Sequence, residues 1–258
     1  SDGVAGGDAT AWPLHGTRAL AAQLLGLIPP TLSLGIPLVW AITNLDQLGD
    51  SLRDDLLPLS LRSLVLGISA SVLAVGAALL LAIAKRWSAA VWLRSLTFLA
   101  GVGYAIPGTV LALALLLTGA PWQLAPLLLL LWGYSDRFLA VAKGGLDAAL
   151  ERISPNLDEA ATGLGFSWRQ VLRRVHLPLL RGPMTVGLLL VFVDTVKELP
   201  LTFALRPFDF DTLSVRVYQY ASDERLAAAL LPALMILALG LVAAMALVPS
   251  LDQASSKG

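Results

Sequence analysis

The stretch LSLRSLVLGISASVLAVGAALLLAIA, residues 59–84, carries one charge, Arg62, in a run long enough to cross the roughly 30 Å of hydrocarbon in a bilayer. It has no apolar–polar alternation of the kind a barrel strand needs, so in lipid its backbone groups can be satisfied only by a helix. Runs of the same character recur at 20–43, 96–118, 124–142, 183–205 and 226–248. The reading is all-α, a polytopic membrane protein with about six transmembrane helices. Composition agrees, since 57% of the 258 residues are hydrophobic and only 14% are charged, outside the range of a soluble domain. Residues 1–18 read as a flexible lead-in, 19–249 as the membrane domain and 250–258 as a tail.

The loops carry an orientation signal. Arg18 precedes the first run, Lys85, Arg86 and Arg94 follow the second, and Lys143, Arg152, Arg169, Arg173, Arg174 and Arg181 follow the fourth. The loop after the first run holds Asp46, Asp50, Asp54 and Asp55 against a single Arg53. The excess of cations on alternate loops predicts that both termini are cytoplasmic. Zero net charge and no broad basic face give nucleic acid nothing to bind. With no cysteine and only His15 and His176, thiolate chemistry and a His-rich metal site are absent. No phosphate-binding G-x-x-x-x-G-K-[ST] loop and no nucleophile elbow occurs, so the chain does not read as the ATPase itself, and a hydrolase reading has little in the sequence to support it.

Between two apolar runs lies a polar insert, DEAATGLGFSWRQVLRRVHLP at 158–178. Ser154 can cap a first helix with Pro155 in its opening position, and Asp158 and Glu159 suit its positive end. Leu157, Ala160, Ala161 and Leu164 fall at i, i+3, i+4 and i+7, one narrow apolar face, and Gly163 and Gly165 end the helix. Gly165 is expected in the left-handed conformation. Ser167 with Gln170 forms a capping box for a second helix, whose apolar face is Trp168, Val171, Leu172 and Val175 and which Pro178 is expected to stop. Such a helix pair could lie on the inner leaflet or dock on a partner.

Glu159, Ala160 and Ala161, then Gly165, then Val175, Leu177 and Pro178 resemble the EAA signature of ATP-binding-cassette (ABC) importer permeases, with Val for Ile as the one departure. The resemblance implies the type I importer permease fold, with 154–181 as coupling helices seated in a dimer of cytoplasmic ATPase chains. It places ATP and magnesium in those partner chains and leaves this one without a cofactor or an enzymatic activity. It further implies a periplasmic substrate-binding protein, a second permease half or subunit, and residence in a bacterial inner membrane. YAIPGTVLALAL at 104–115 and VKELPLTFALRPFDFDTLSVRVYQYASDERL at 196–226 also resemble the second half of ferric-iron permeases. Iron(III) is then the expected cargo; thiamine, sulfate and polyamine permeases remain alternatives.

Two features bear on a pathway. Pro107 and Gly108, in GYAIPG, mark a kink or a close packing contact beside a path. Asp194, Lys197 and Glu198, at i, i+3 and i+4 ahead of Pro200, would share one face of a membrane helix, as a pathway cluster or an ion-paired packing contact. On the pathway reading the two carboxylates are transient cation contacts, with Lys197 their resting partner, and no permanent metal site is expected. Asp136 and Arg137 are expected to anchor a span or pair with a neighbouring helix. In an ion-coupled secondary transporter, the rival class, Asp194 and Glu198 would carry protons, but the EAA match would then have no role.

Overall fold

The structure, a computed structural model, describes residues 14–44, 56–88 and 90–255. The acidic loop at 46–55 and most of the lead-in lie outside the described residues, as do the side chain of Arg94 and those beyond residue 246. The chain divides into two compact units, Ser1–Gln47 and Leu48–Gly258. In the first, α1 (Thr17–Thr43) stays helical through Pro29, Pro30 and Pro37.

The second unit contains α2 (Leu56–Trp87), α3 (Val91–Val102), α4 (Gly108–Gly119), α5 (Pro126–Glu151), α6 (Pro155–Gly163), α7 (Trp168–Val171), α8 (Leu177–Val196), α9 (Pro200–Leu205), α10 (Leu213–Ser222) and α11 (Leu226–Ser255). Short 3₁₀ turns follow α3 and α4, and no strand occurs among the described residues. Among the described residues, four stretches are long and apolar enough to cross a membrane: Thr17–Thr43, Leu56–Trp87, Trp168–Val196 and Leu226–Ala246. A fifth arises if Val91–Ala105 and Gly108–Trp122, bent by 119°, count as one broken span. The remaining expected run, 124–142, is a helix, but α5 carries Asp136, Arg137 and Lys143 and is not apolar enough by the same measure. It packs in the interior of the unit, against α2 and α8.

α2, α5 and α8 pack mutually to form the core. On α2 the buried positions Ala70, Ala74, Ala78 and Ala82 recur every fourth residue, and on α5 so do Leu130, Tyr134, Phe138, Ala142, Leu146 and Leu150. A row of alanines meeting a row of larger side chains lets the backbones approach closely, the usual basis of helix association in lipid. At Gly67 a Cβ would come within 2.8 Å of the Phe192 ring on α8, so the missing side chain is what admits that ring. α11 closes the unit against α8 and α10. Tyr220 of α10 is buried against Ala228 and Ala229.

Prolines shape the path of the chain in three places. A proline ring collides with the carbonyl four residues earlier and supplies no donor to it. α8 accordingly ends at Val196, four before Pro200, and α3 gives way to a 3₁₀ turn at Gly103, four before Pro107. Pro178 behaves differently from expectation. The helix that begins at Trp168 does not stop there; it runs on to Val196 through a π turn at Leu172–His176. That turn contains Arg174, the residue whose carbonyl Pro178 leaves without a donor, and the widened hydrogen-bond pattern carries the helix past the defect.

Candidate functional site

The two complete breaks come together. Ile106, at the bend before Pro107, has its carbonyl bonded by Arg137 Nη1 of α5 at 2.8 Å. At the second break Glu198, buried, turns its carboxylate onto the start of α9, where Oε2 accepts from Leu201 N at 3.0 Å and from Thr202 N at 3.4 Å. Each staple therefore satisfies backbone groups that the interruption leaves without helical partners. Arg137 Nε and Glu198 Oε1 then face each other at 3.8 Å, so one buried ion pair joins both breaks. Gly108 fits between them: a Cβ there would lie 2.9 Å from Glu198 Oε1 and 3.1 Å from Arg137 Nη1. Behind the pair, Thr202 Oγ1 donates to the Glu198 carbonyl at 2.8 Å, Ser214 Oγ donates to the same oxygen at 2.9 Å, and the Tyr134 hydroxyl bonds Thr202 Oγ1.

The polar insert forms a second constellation at the other end of α2. Ser154 Oγ accepts from Asn156 N, Pro155 opens α6, and Asp158 sits in the first turn, all as local chemistry dictates. α6 ends in a full Schellman turn, with Phe166 N bonded to Ala161 O at 3.1 Å and Gly165 N to Thr162 O at 2.9 Å, and Gly165 at φ +81°. Ser167 N donates to Gln170 Oε1 at 2.8 Å, the reciprocal arm of the expected capping box. Ala161 is buried, while Leu157, Glu159, Ala160 and Leu164 are exposed. Val175 lies in the π turn, and Leu177 and Pro178 open α8. The apolar face of α6 thus has one residue turned into the protein and most of its length uncovered.

One expectation is corrected. Asp194, Lys197 and Glu198 do not share a helical face, because α8 ends at Val196 and the i, i+3, i+4 geometry ends with it. Asp194 Oδ1 pairs with Lys197 Nζ at 2.8 Å, and that Lys is well exposed. Glu198 turns the other way, and its cationic partner is Arg137, not Lys197. Gly108 does meet Glu198, across the bend that Pro107 opens. The reading of Arg137 as a helix-pairing residue holds, yet its part in bracing both breaks was not visible, nor were those of Arg86 and His176, which close on Asp158. An arginine within an apolar run was the available signal for the first; the second pair offered none.

Residues 74–254 match the binding-protein-dependent transport system inner membrane component family. The chain belongs to that family. Among proteins similar to this family member is the Fe(3+)-transport system permease protein FbpB 2 of Haemophilus influenzae, 29% identical over 216 residues, which cover 80% of this chain and 42% of that protein. The chain thus spans about two-fifths of the length of that relative. Two solved structures share the fold. One is a bacterial alginate ABC transporter in complex with an alginate pentasaccharide-bound periplasmic protein, with a TM-score of 0.67, 15% identity, and coverage of 90% of this chain and 92% of that one. The other is a bacterial ABC transporter involved in the import of alginate, with a TM-score of 0.56, 15% identity, and coverage of 92% and 95%. At that identity the likeness speaks for the fold alone.

Proposed function

We propose that this chain is the permease unit of an ATP-driven, binding-protein-dependent importer, with α6 and the turn after it seated in a cytoplasmic ATPase dimer. The carrying observation is the uncovered face of α6, on which Leu157, Glu159, Ala160 and Leu164 are exposed beside a rigid Schellman turn. A helix whose apolar side stays bare while its Asp158 is held by neighbouring helices has the form of a docking element. In this reading Glu159, Ala160, Ala161, Gly165, Val175, Leu177 and Pro178 serve coupling, both termini are cytoplasmic, and ATP with magnesium is bound and hydrolysed by the partner. A second permease half completes the path.

The cargo we propose is ferric iron delivered by a periplasmic binding protein, and the similarity to an Fe(3+) permease supports this choice over thiamine, sulfate or a polyamine. A hard cation prefers oxygen ligands, and Asp194 and Glu198 would be its transient contacts, with Pro107 and Gly108 at the bend beside Glu198. At rest each carboxylate has a cationic neighbour, Lys197 for the first and Arg137 for the second, so the path would offer weak and replaceable contacts, as conduction requires. The test is reconstitution with the companion ATPase and binding protein in proteoliposomes, with the binding protein loaded in turn with ferric iron, thiamine, sulfate and a polyamine. ATP-dependent accumulation of iron alone is expected. Accumulation of another cargo would replace the iron assignment, and uptake that follows a proton gradient without ATP would overturn the importer reading.

A further inference from the structure

Asp158 immediately precedes the EAA residues, and its carboxylate is where four elements converge. Oδ2 lies 2.6 Å from Nε of Arg86, in the last turn of α2, and Oδ1 lies 2.9 Å from Nε2 of His176, in the π turn that leads into α8. The same guanidinium reaches α5: Nη1 donates to Leu150 O at 2.9 Å, and Nη2 donates to Ile153 O at 3.0 Å and to Ser154 O at 3.3 Å. One arginine therefore closes the end of α5, holds the first turn of α6 and belongs to α2. His176 is fully buried and meets the Trp87 ring edge-on, with centroids 5.7 Å apart, so it cannot swing away from Asp158 without displacing the end of α2. The ends of α2, α5 and α8, the three helices of the core, thus meet the coupling helix at one anion.

Resting on the reading that α6 docks on an ATPase, we infer that Asp158, bonded by Arg86 and walled in by the buried His176 ring, is the positioning residue that makes α6 and the core helices move as one body. A docking helix tied to the bundle only by its flanking loops would absorb a displacement in those loops. Held by a charge-assisted fork that also bonds three carbonyls, it passes the displacement to α2, α5 and α8 together. The π turn serves the same end, because it presents His176 inward at the point where the helix would otherwise be weakened by Pro178.

The experiment uses the full complex in proteoliposomes, with Asp158→Asn, Arg86→Gln, Arg86→Lys and His176→Gln, and reads cargo imported per ATP hydrolysed alongside ATPase co-purification. Asp158→Asn, nearly the same shape, should retain the ATPase and its hydrolysis while import per ATP falls by at least about fivefold. Arg86→Gln should behave alike, and Arg86→Lys should recover part of the loss. Unchanged stoichiometry in both Asp158→Asn and Arg86→Gln overturns the inference. So does loss of ATPase binding in step with import, which would reduce the carboxylate to a folding contact. A second measurement needs no ATPase. The chain has no cysteine, so nitroxides at Leu61→Cys on α2 and Asn156→Cys on α6 report directly on how firmly the two are joined. A distance distribution that broadens in Asp158→Asn supports the clamp even if the docking reading fails. One as narrow as in the unsubstituted background defeats the clamp whatever the ATPase does.

Discussion

Removing either member of the Arg137–Glu198 pair separates what joins the two helix breaks from what merely fills space. At 3.8 Å and an effective dielectric constant of about 20, the Coulomb attraction is about 4 kcal/mol. Desolvation offsets part of this, more for Glu198, whose side chain is 5% exposed, than for Arg137 at 21%. Arg137→Met leaves the carboxylate with its two backbone donors but no counter-charge, and also strips the Ile106 carbonyl of its partner, so a loss of about 3–5 kcal/mol is expected. Glu198→Gln keeps an acceptor for Leu201 N and Thr202 N, and should cost about 1–3 kcal/mol. In the double variant Arg137→Met/Glu198→Gln the losses should overlap, giving a coupling energy of about 2–4 kcal/mol. Reversible SDS unfolding in mixed micelles measures all four corners of this cycle. Additive losses, with a coupling below about 0.5 kcal/mol, would refute the argument that one ion pair joins the two breaks.

Gly103→Ala should destabilise by about 1–3 kcal/mol in the same assay, because its Cβ would fall against the backbone carbonyl of Asp136, which has no side-chain freedom to yield. The matched control Gly144→Ala, mid-helix with open space around it, should be neutral or stabilising by up to about 1 kcal/mol. Lys197→Ala removes an exposed partner of Asp194 and should change stability by no more than about 1 kcal/mol, whereas a change near that of Arg137→Met would return Lys197 to the core of the site. Gly165→Ala has room for its methyl group but must hold φ +81°, so a strain of about 1–2 kcal/mol is expected at the turn, read as faster amide exchange at Gly165 and Phe166; Gly163→Ala, with ordinary φ, should leave exchange there unaltered.

What could be read from the chain alone was chemistry that acts over a few residues. Ser154, Pro155 and Gly165 take the roles their types suggest, because a cap and a Schellman turn are completed by neighbours in sequence. Apolar length was equally legible, but not the place of α5, whose charges are tolerated because it is packed among other helices. The prolines mark the boundary of such reading. Pro29, Pro30, Pro37 and Pro183 all sit inside continuous helices, Pro178 is passed by a π turn, and Pro107 and Pro200 follow breaks. No property of the ring distinguishes these cases. At Pro107 the Ile106 carbonyl is taken up by Arg137, 31 residues away and on another helix; at Pro200 the released donors of α9 find Glu198, a carboxylate that the break itself frees to turn inward. A broken helix in a membrane is stable only where a partner takes over the groups it releases. The glycine at 108 is the complement of that condition, since its missing side chain makes the room in which Arg137 and Glu198 meet. The breaks, the arginine and the glycine are therefore one feature written in three separate parts of the chain, and it can be recognised only when the fold brings them together.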